Sequence, residues 1–124
     1  MNGIKFISTK DSPNSSGESF VCVLSNGIST KHGLLIELSD KLIFPKYFGY
    51  NWDALIDCLM DFSWIKERKI IIVHSDLPSI STLEIRSYLN ILSEATLQWN
   101  KDELHTLEVT FPKESESSIR ELLK

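Results

Sequence analysis

Lys69-Ile70-Ile71-Ile72-Val73-His74 is the strongest strand signal in the chain. Its β-branched residues run on without alternating, so the strand expects burial on both faces. Such a strand belongs in the interior of a sheet and implies helices on both sides. Downstream, Ser81 or Thr82 can cap a long helix to about Trp99, with Ile85, Tyr88, Leu89, Leu92 and Trp99 on its apolar face. His105 to Phe111 alternates enough to be another strand, and Pro112 is expected to stop it. Lys113 to Lys124 reads as a short amphipathic helix, with Ile119, Leu122 and Leu123 on one side.

Upstream, Phe20 to Leu24 is a compact apolar strand, followed by a turn at Asn26-Gly27. Ser29 or Thr30 can cap a helix through about Lys41, with Leu34, Leu35, Leu38 and Leu42 on one side. Phe44 to Tyr50 is a loop, opened by Pro45 and bent at Gly49. Asn51 is then the N-cap of a helix from Trp52 to about Asp61, whose core stripe is Trp52, Leu55, Ile56, Leu59 and Met60. Near the N-terminus, Ile4 to Ser8 can form a short strand and Thr9 to Ser19 is a polar loop. Helical crossovers between the strands predict a parallel α/β sheet.

The chain has 124 residues, 42% hydrophobic and 24% charged, which fits one soluble domain with a real core. Its net charge of −4 disfavours direct nucleic-acid binding, which needs Lys and Arg to neutralise phosphates. An acidic chain suits a basic protein partner, whose encounter its field accelerates. Cys22 and Cys58 match no metal or redox spacing and read as packed thiols in a reducing compartment. No signal-peptide core and no run of membrane-spanning length is present, which sets the expectation of a cytoplasmic protein.

The segment with the most chemistry is Pro45-Lys-Tyr-Phe-Gly-Tyr-Asn-Trp-Asp-Ala-Leu-Ile-Asp-Cys-Leu-Met-Asp-Phe62. Asp53, Asp57 and Asp61 recur every four residues and would share one helix face. No Lys or Arg occurs between Tyr47 and Ile65 to relieve their repulsion. A stripe of one sign is expected where the basic counterpart lies outside the chain. His32, His74 and His105 show no spacing that links them to each other or to a carboxylate. Nothing supplies a nucleophile, a phosphate loop or a metal-ligand cluster, so neither enzyme activity nor a cofactor is expected.

This segment resembles the signature of the barstar family, intracellular inhibitors of secreted bacterial ribonucleases. The family pattern is met at Pro45, Tyr47, Phe48, Gly49, Asn51, Asp53, Ala54, Leu55, Asp57, Cys58 and Leu59. The order of elements agrees from about Phe20 to Phe111. The resemblance implies a single barstar-like domain: a small three-stranded parallel sheet packed with helices, core about 20–111. Short additions flank it at 1–19 and 113–124, and these two could extend the sheet edge, dimerise or touch the partner.

The resemblance also implies a function. The acidic helix and the loop before it would block the basic active-site cleft of a ribonuclease. The chain would act as the immunity protein of a toxic nuclease, as a monomer in a one-to-one complex. By correspondence, Tyr47 is a contacting aromatic, Asp53 an interface acid, Asp57 the central acid in place of a substrate phosphate, and Glu94 a further acid on the long helix. Ile56, Met60 and Phe62 stand where the prototype has Trp, Thr and Trp, and Tyr50 stands where it has an acid. These four positions are expected at the partner face, where they would set the identity of the target. Asp61 reads as a solvated acid at the helix end. The competing readings are an acidic regulator of a basic protein that is not a ribonuclease, and a small Mg²⁺-dependent hydrolase using the stripe.

Overall fold

A computed structural model describes residues 3–8, 19–100 and 104–124. The loop expected over Thr9 to Ser19 lies outside these except for Ser19. The element order is β1 (Ile4–Ile7), β2 (Ser19–Leu24), α1 (Lys31–Leu42), α2 (Trp52–Leu59), β3 (Lys69–His74), α3 (Thr82–Trp99), β4 (Thr106–Pro112) and α4 (Glu116–Leu122), the last entered through a 3-10 turn at Lys113–Ser115. The sheet is fully parallel, in the order β1-β4-β3-β2.

The sheet therefore has four strands where three were expected. Ile4 aligns with Val109 and Phe6 with Phe111, so β1 pairs with β4 as an outer strand. Its start is fitted closely: Gly3, at φ +85, lies so near Thr96 of α3 that a Cβ there would fall 1.6 Å from the Thr96 hydroxyl oxygen. Pro112 does not stop β4 short but is its last residue, opposite Ile7.

β3 is buried on both faces, as its composition demands: Ile70, Ile71 and Ile72 are all fully buried. The helices, however, gather on one side. Leu34 and Leu38 of α1, Leu55 and Leu59 of α2, Leu89 and Leu92 of α3 and Ile119 of α4 all join one cluster with Ile70, Ile72, Val109 and Phe111. Ile71, on the opposite face, is outside that cluster. Its face carries Lys5 and Lys69, both paired with Glu108. Helices on both sides are thus not found among the described residues. Each fully buried Leu in the shared core contributes about 1.5–3 kcal/mol.

The helix starts follow the sequence closely. Thr30, Asn51 and Ser81 have extended backbones, and each side chain accepts from the N–H three residues on. α1 ends at Ile43, a left-handed residue at φ 56 whose N–H returns to the Ser39 carbonyl. No helix of the described residues is long and apolar enough to cross a membrane.

Candidate functional site

α2 is pinned by its neighbours. Leu55, Cys58 and Leu59 face the core. At its end, the indole N–H of Trp99 donates to the Leu59 carbonyl at 2.6 Å. At its start, Asn51 Oδ1 accepts from the Ala54 N–H at 2.8 Å, and Asn51 Nδ2 donates to the Gly49 carbonyl at 3.2 Å. The chain bends into this cap at Tyr50, not at Gly49: Tyr50 holds a left-handed φ of 51. For a residue other than glycine that conformation costs on the order of 1–2 kcal/mol. The Tyr50 ring packs against Phe48 and His32, with centroids 4.9 and 5.9 Å away.

With its apolar side held down, α2 turns Asp53 and Asp57 outward, both exposed. Asp61 follows just past the helix and is exposed too. None of the three joins an ion pair with a described residue. Asp53, in the first turn, gains from the positive end of the helix dipole, whereas Asp57 has no such local reason. Their charges are felt beneath the helix. Burial, with smaller contributions from the Asp61 and Asp57 charges, pushes the Cys58 thiol up to about 11. Cys22 is likewise buried and pushed up to about 12 by burial. Both cysteines are free.

Beside the stripe lies a groove of about 390 Å³. Tyr47, Phe48 and Gly49 form its loop wall, and Asp53, Asp57 and Asp61 form its acidic edge. Tyr47 is 79% exposed, while Phe48 is buried against Phe44. Tyr47, Asp53 and Asp57 are therefore brought together as the sequence predicts, and Asp61 joins them. Its i+4 spacing from Asp57 places Asp61 on the same stripe.

The other candidates distribute differently. Ile56 and Met60 are half-buried, on the flank of α2 that also carries Trp52. Glu94 is exposed on α3 and does not line the groove. Phe62 is a correction. It is fully buried, stacked on Trp99 at a centroid distance of 6.1 Å and near Trp64 and His105. It holds a left-handed φ of 47, three residues past the last residue of α2, and its side chain lies inward, away from any partner.

The histidines form no site. His74 is buried with both ring nitrogens engaged, His105 Nδ1 donates to the Glu67 carbonyl at 2.9 Å, and His32 is exposed beside Tyr50. Among the described residues no group of His, Cys, Asp or Glu is arranged to hold a metal ion.

A parallel α/β scaffold thus displays an unpaired acidic helix beside an exposed tyrosine. The family described as "Barstar (barnase inhibitor)" matches residues 19–111, so β2 through all but the last residue of β4, and the whole acidic segment, lie inside the match. The chain belongs to the Barstar family. No curated protein matches the chain. β1 and α4 fall outside the family match.

Proposed function

We propose that this chain inhibits a bacterial ribonuclease by laying α2 and the loop before it into the enzyme's basic cleft, and that it serves as the immunity protein of a toxic nuclease. The observation that carries this reading is the exposed, unpaired pair Asp53 and Asp57 beside Tyr47, on the segment that lies within the family match. Asp57 takes the place of a substrate phosphate, Asp53 pairs with a neighbouring cation of the enzyme, and Tyr47 contacts the rim of the cleft. Tyr50, Ile56, Met60 and Glu94 form the surrounding contact surface. Steering by the acidic stripe speeds the encounter, and the charge pairs become strong once neighbouring side chains exclude water. For barnase and barstar, the pair from which the family takes its description, close charge pairs couple by about 1.5–7 kcal/mol.

The test is RNA cleavage by basic ribonucleases, beginning with barnase and any nuclease encoded beside this chain. Loss of cleavage at one-to-one stoichiometry supports the reading. Binding to a basic protein with cleavage of RNA unaffected would instead make the chain a regulator of a partner that is not a ribonuclease.

A further inference from the structure

Ser81-Thr82-Leu83-Glu84 has the makings of a capping box, in which the serine caps the helix and the glutamate reaches back to the serine's own N–H. Half of the box is present: Ser81 Oγ accepts from the Glu84 N–H at 3.2 Å. The glutamate side chain, though, crosses to α2, where its Oε2 accepts the Trp52 indole N–H at 2.8 Å. Lys31, the first residue of α1, closes the cluster. Its Nζ lies 3.7 Å from the same oxygen and 4.9 Å from the Trp52 ring centroid. The first turns of α1, α2 and α3 thus converge on one indole, which also stacks on Tyr88 at 6.0 Å.

α2 needs such ties. It has eight residues, too few for a helix stable by itself, and it carries like charges four apart. Its far end is held by Trp99 donating to the Leu59 carbonyl. Its near end is held by Trp52 donating to Glu84. Trp52 stands between the cap Asn51 and the acid Asp53, so whatever fixes the indole fixes the start of the acidic stripe.

We propose that Glu84, assisted by Lys31, is a positioning residue for the inhibitory face. It holds the first turn of α2, and with it Asp53 and the groove beside Tyr47, in the binding geometry before a partner arrives. This deepens the reading of the chain as a ribonuclease inhibitor and rests on it. Order already present in the free protein does not have to be imposed on binding.

The experiment compares Glu84→Ala, which removes the acceptor, with Glu84→Gln, which keeps one. Backbone hydrogen exchange over α2 in the free chain is the first readout. Glu84→Ala is expected to speed exchange by about fivefold, the equivalent of one ordinary hydrogen bond, and Glu84→Gln to restore it. Ser81→Ala is the control, because it removes the α3 cap without touching Trp52. Unchanged exchange in Glu84→Ala, or equal opening of α2 by Ser81→Ala, overturns the proposal. The second readout is Kd for the ribonuclease that the wild-type chain inhibits. It should rise by about fivefold in Glu84→Ala and stay near wild type in Glu84→Gln; equal Kd for all three chains overturns the positioning role. If the wild-type chain inhibits no ribonuclease, the functional reading fails, and the exchange data show separately whether the clamp exists.

Discussion

Tyr88 donates its hydroxyl hydrogen to His74 Nε2 at 2.6 Å in the centre of the core. The direction is fixed by the other nitrogen. His74 Nδ1 lies 2.9 Å from the Thr110 carbonyl, which can only accept, so Nδ1 carries the ring proton and Nε2 is the acceptor. The imidazole is stacked on Phe111, with ring centroids 3.8 Å apart. It is a neutral ring with both nitrogens satisfied, in a core that disfavours a second proton.

Stability should therefore fall with acid. Burial holds the His74 pKa down at about 4, against the smaller upward pull of the Thr110 bond. The unfolded chain takes up a proton near pH 6.5, while the folded chain resists until about pH 4. The stability that His74 contributes is complete above pH 6.5 and is lost between pH 6.5 and 4, by roughly 3 kcal/mol. Urea unfolding across this window should show the slope in the wild type and a flatter profile in His74→Phe. Equal slopes in the two would refute the assignment.

Asp57 should separate binding from folding. Asp57→Ala removes a mid-helix acid four residues from Asp53 and from Asp61. Relief of repulsion and the better helix propensity of Ala leave the free chain as stable or more so, by a few tenths of a kcal/mol. Binding to the cognate ribonuclease should weaken by several kcal/mol, as for other buried interface charges. Calorimetry that gives equal affinity for mutant and wild type would remove Asp57 from the site.

Asp61 should act mainly on the rate of association. It is exposed at the far edge of the groove, where a charge steers more than it anchors. Asp61→Asn is expected to slow association and to lessen its dependence on salt, with dissociation and stability little changed. Stopped-flow mixing at several ionic strengths measures the rates and their salt dependence, and urea unfolding the stability; an unaltered salt dependence would return Asp61 to the solvated surface.

Phe62 and Tyr47 should behave oppositely. Phe62→Ala empties a fully buried site and should cost about 3–5 kcal/mol of folding stability. Tyr47→Ala should stay within roughly 0.5 kcal/mol of wild type in folding while weakening the complex. Thermal unfolding of the free variants distinguishes them; a stable Phe62→Ala would contradict its place in the core.

Gly3 should matter although it lies outside the family match. Any side chain there meets Thr96, and the backbone φ of +85 disfavours one in any case. Gly3→Ala is expected to cost roughly 1–3 kcal/mol and to loosen β1. Hydrogen exchange in β1 and β4 would show it; unchanged protection in both strands would mean that the contact with Thr96 is unimportant.

The central fold was legible because its signals are local. The β-branched run fixed β3, the three caps fixed the helix starts, and the leucine spacing named the buried side of α1 and α2. What the sequence withheld depends on partners distant along the chain. The pattern at Ile4 to Ile7 announces a strand but not the edge it joins, so the count of strands came out one short. The run at Ile70 to Val73 announces burial on two faces but not that all four helices would gather on one. In the site, the carboxylate stripe of Asp53, Asp57 and Asp61 is visible from spacing alone, whereas Tyr47 enters only through the resemblance. Phe62 was misplaced because one left-handed residue after a helix reverses the direction of a side chain, and no hydrophobic pattern records that turn.

β1 meets β4 through Lys5 and Glu108, 103 positions apart. β4 also separates β1 from β3 in the sheet, so the first strand cannot join the rest until nearly all the others have been synthesised. On the ribosome, β2, α1, α2 and β3 emerge before the strand that completes their support. A sheet closed by its most distant pairing has high contact order and folds late. The acidic helix is therefore translated well ahead of its finished platform.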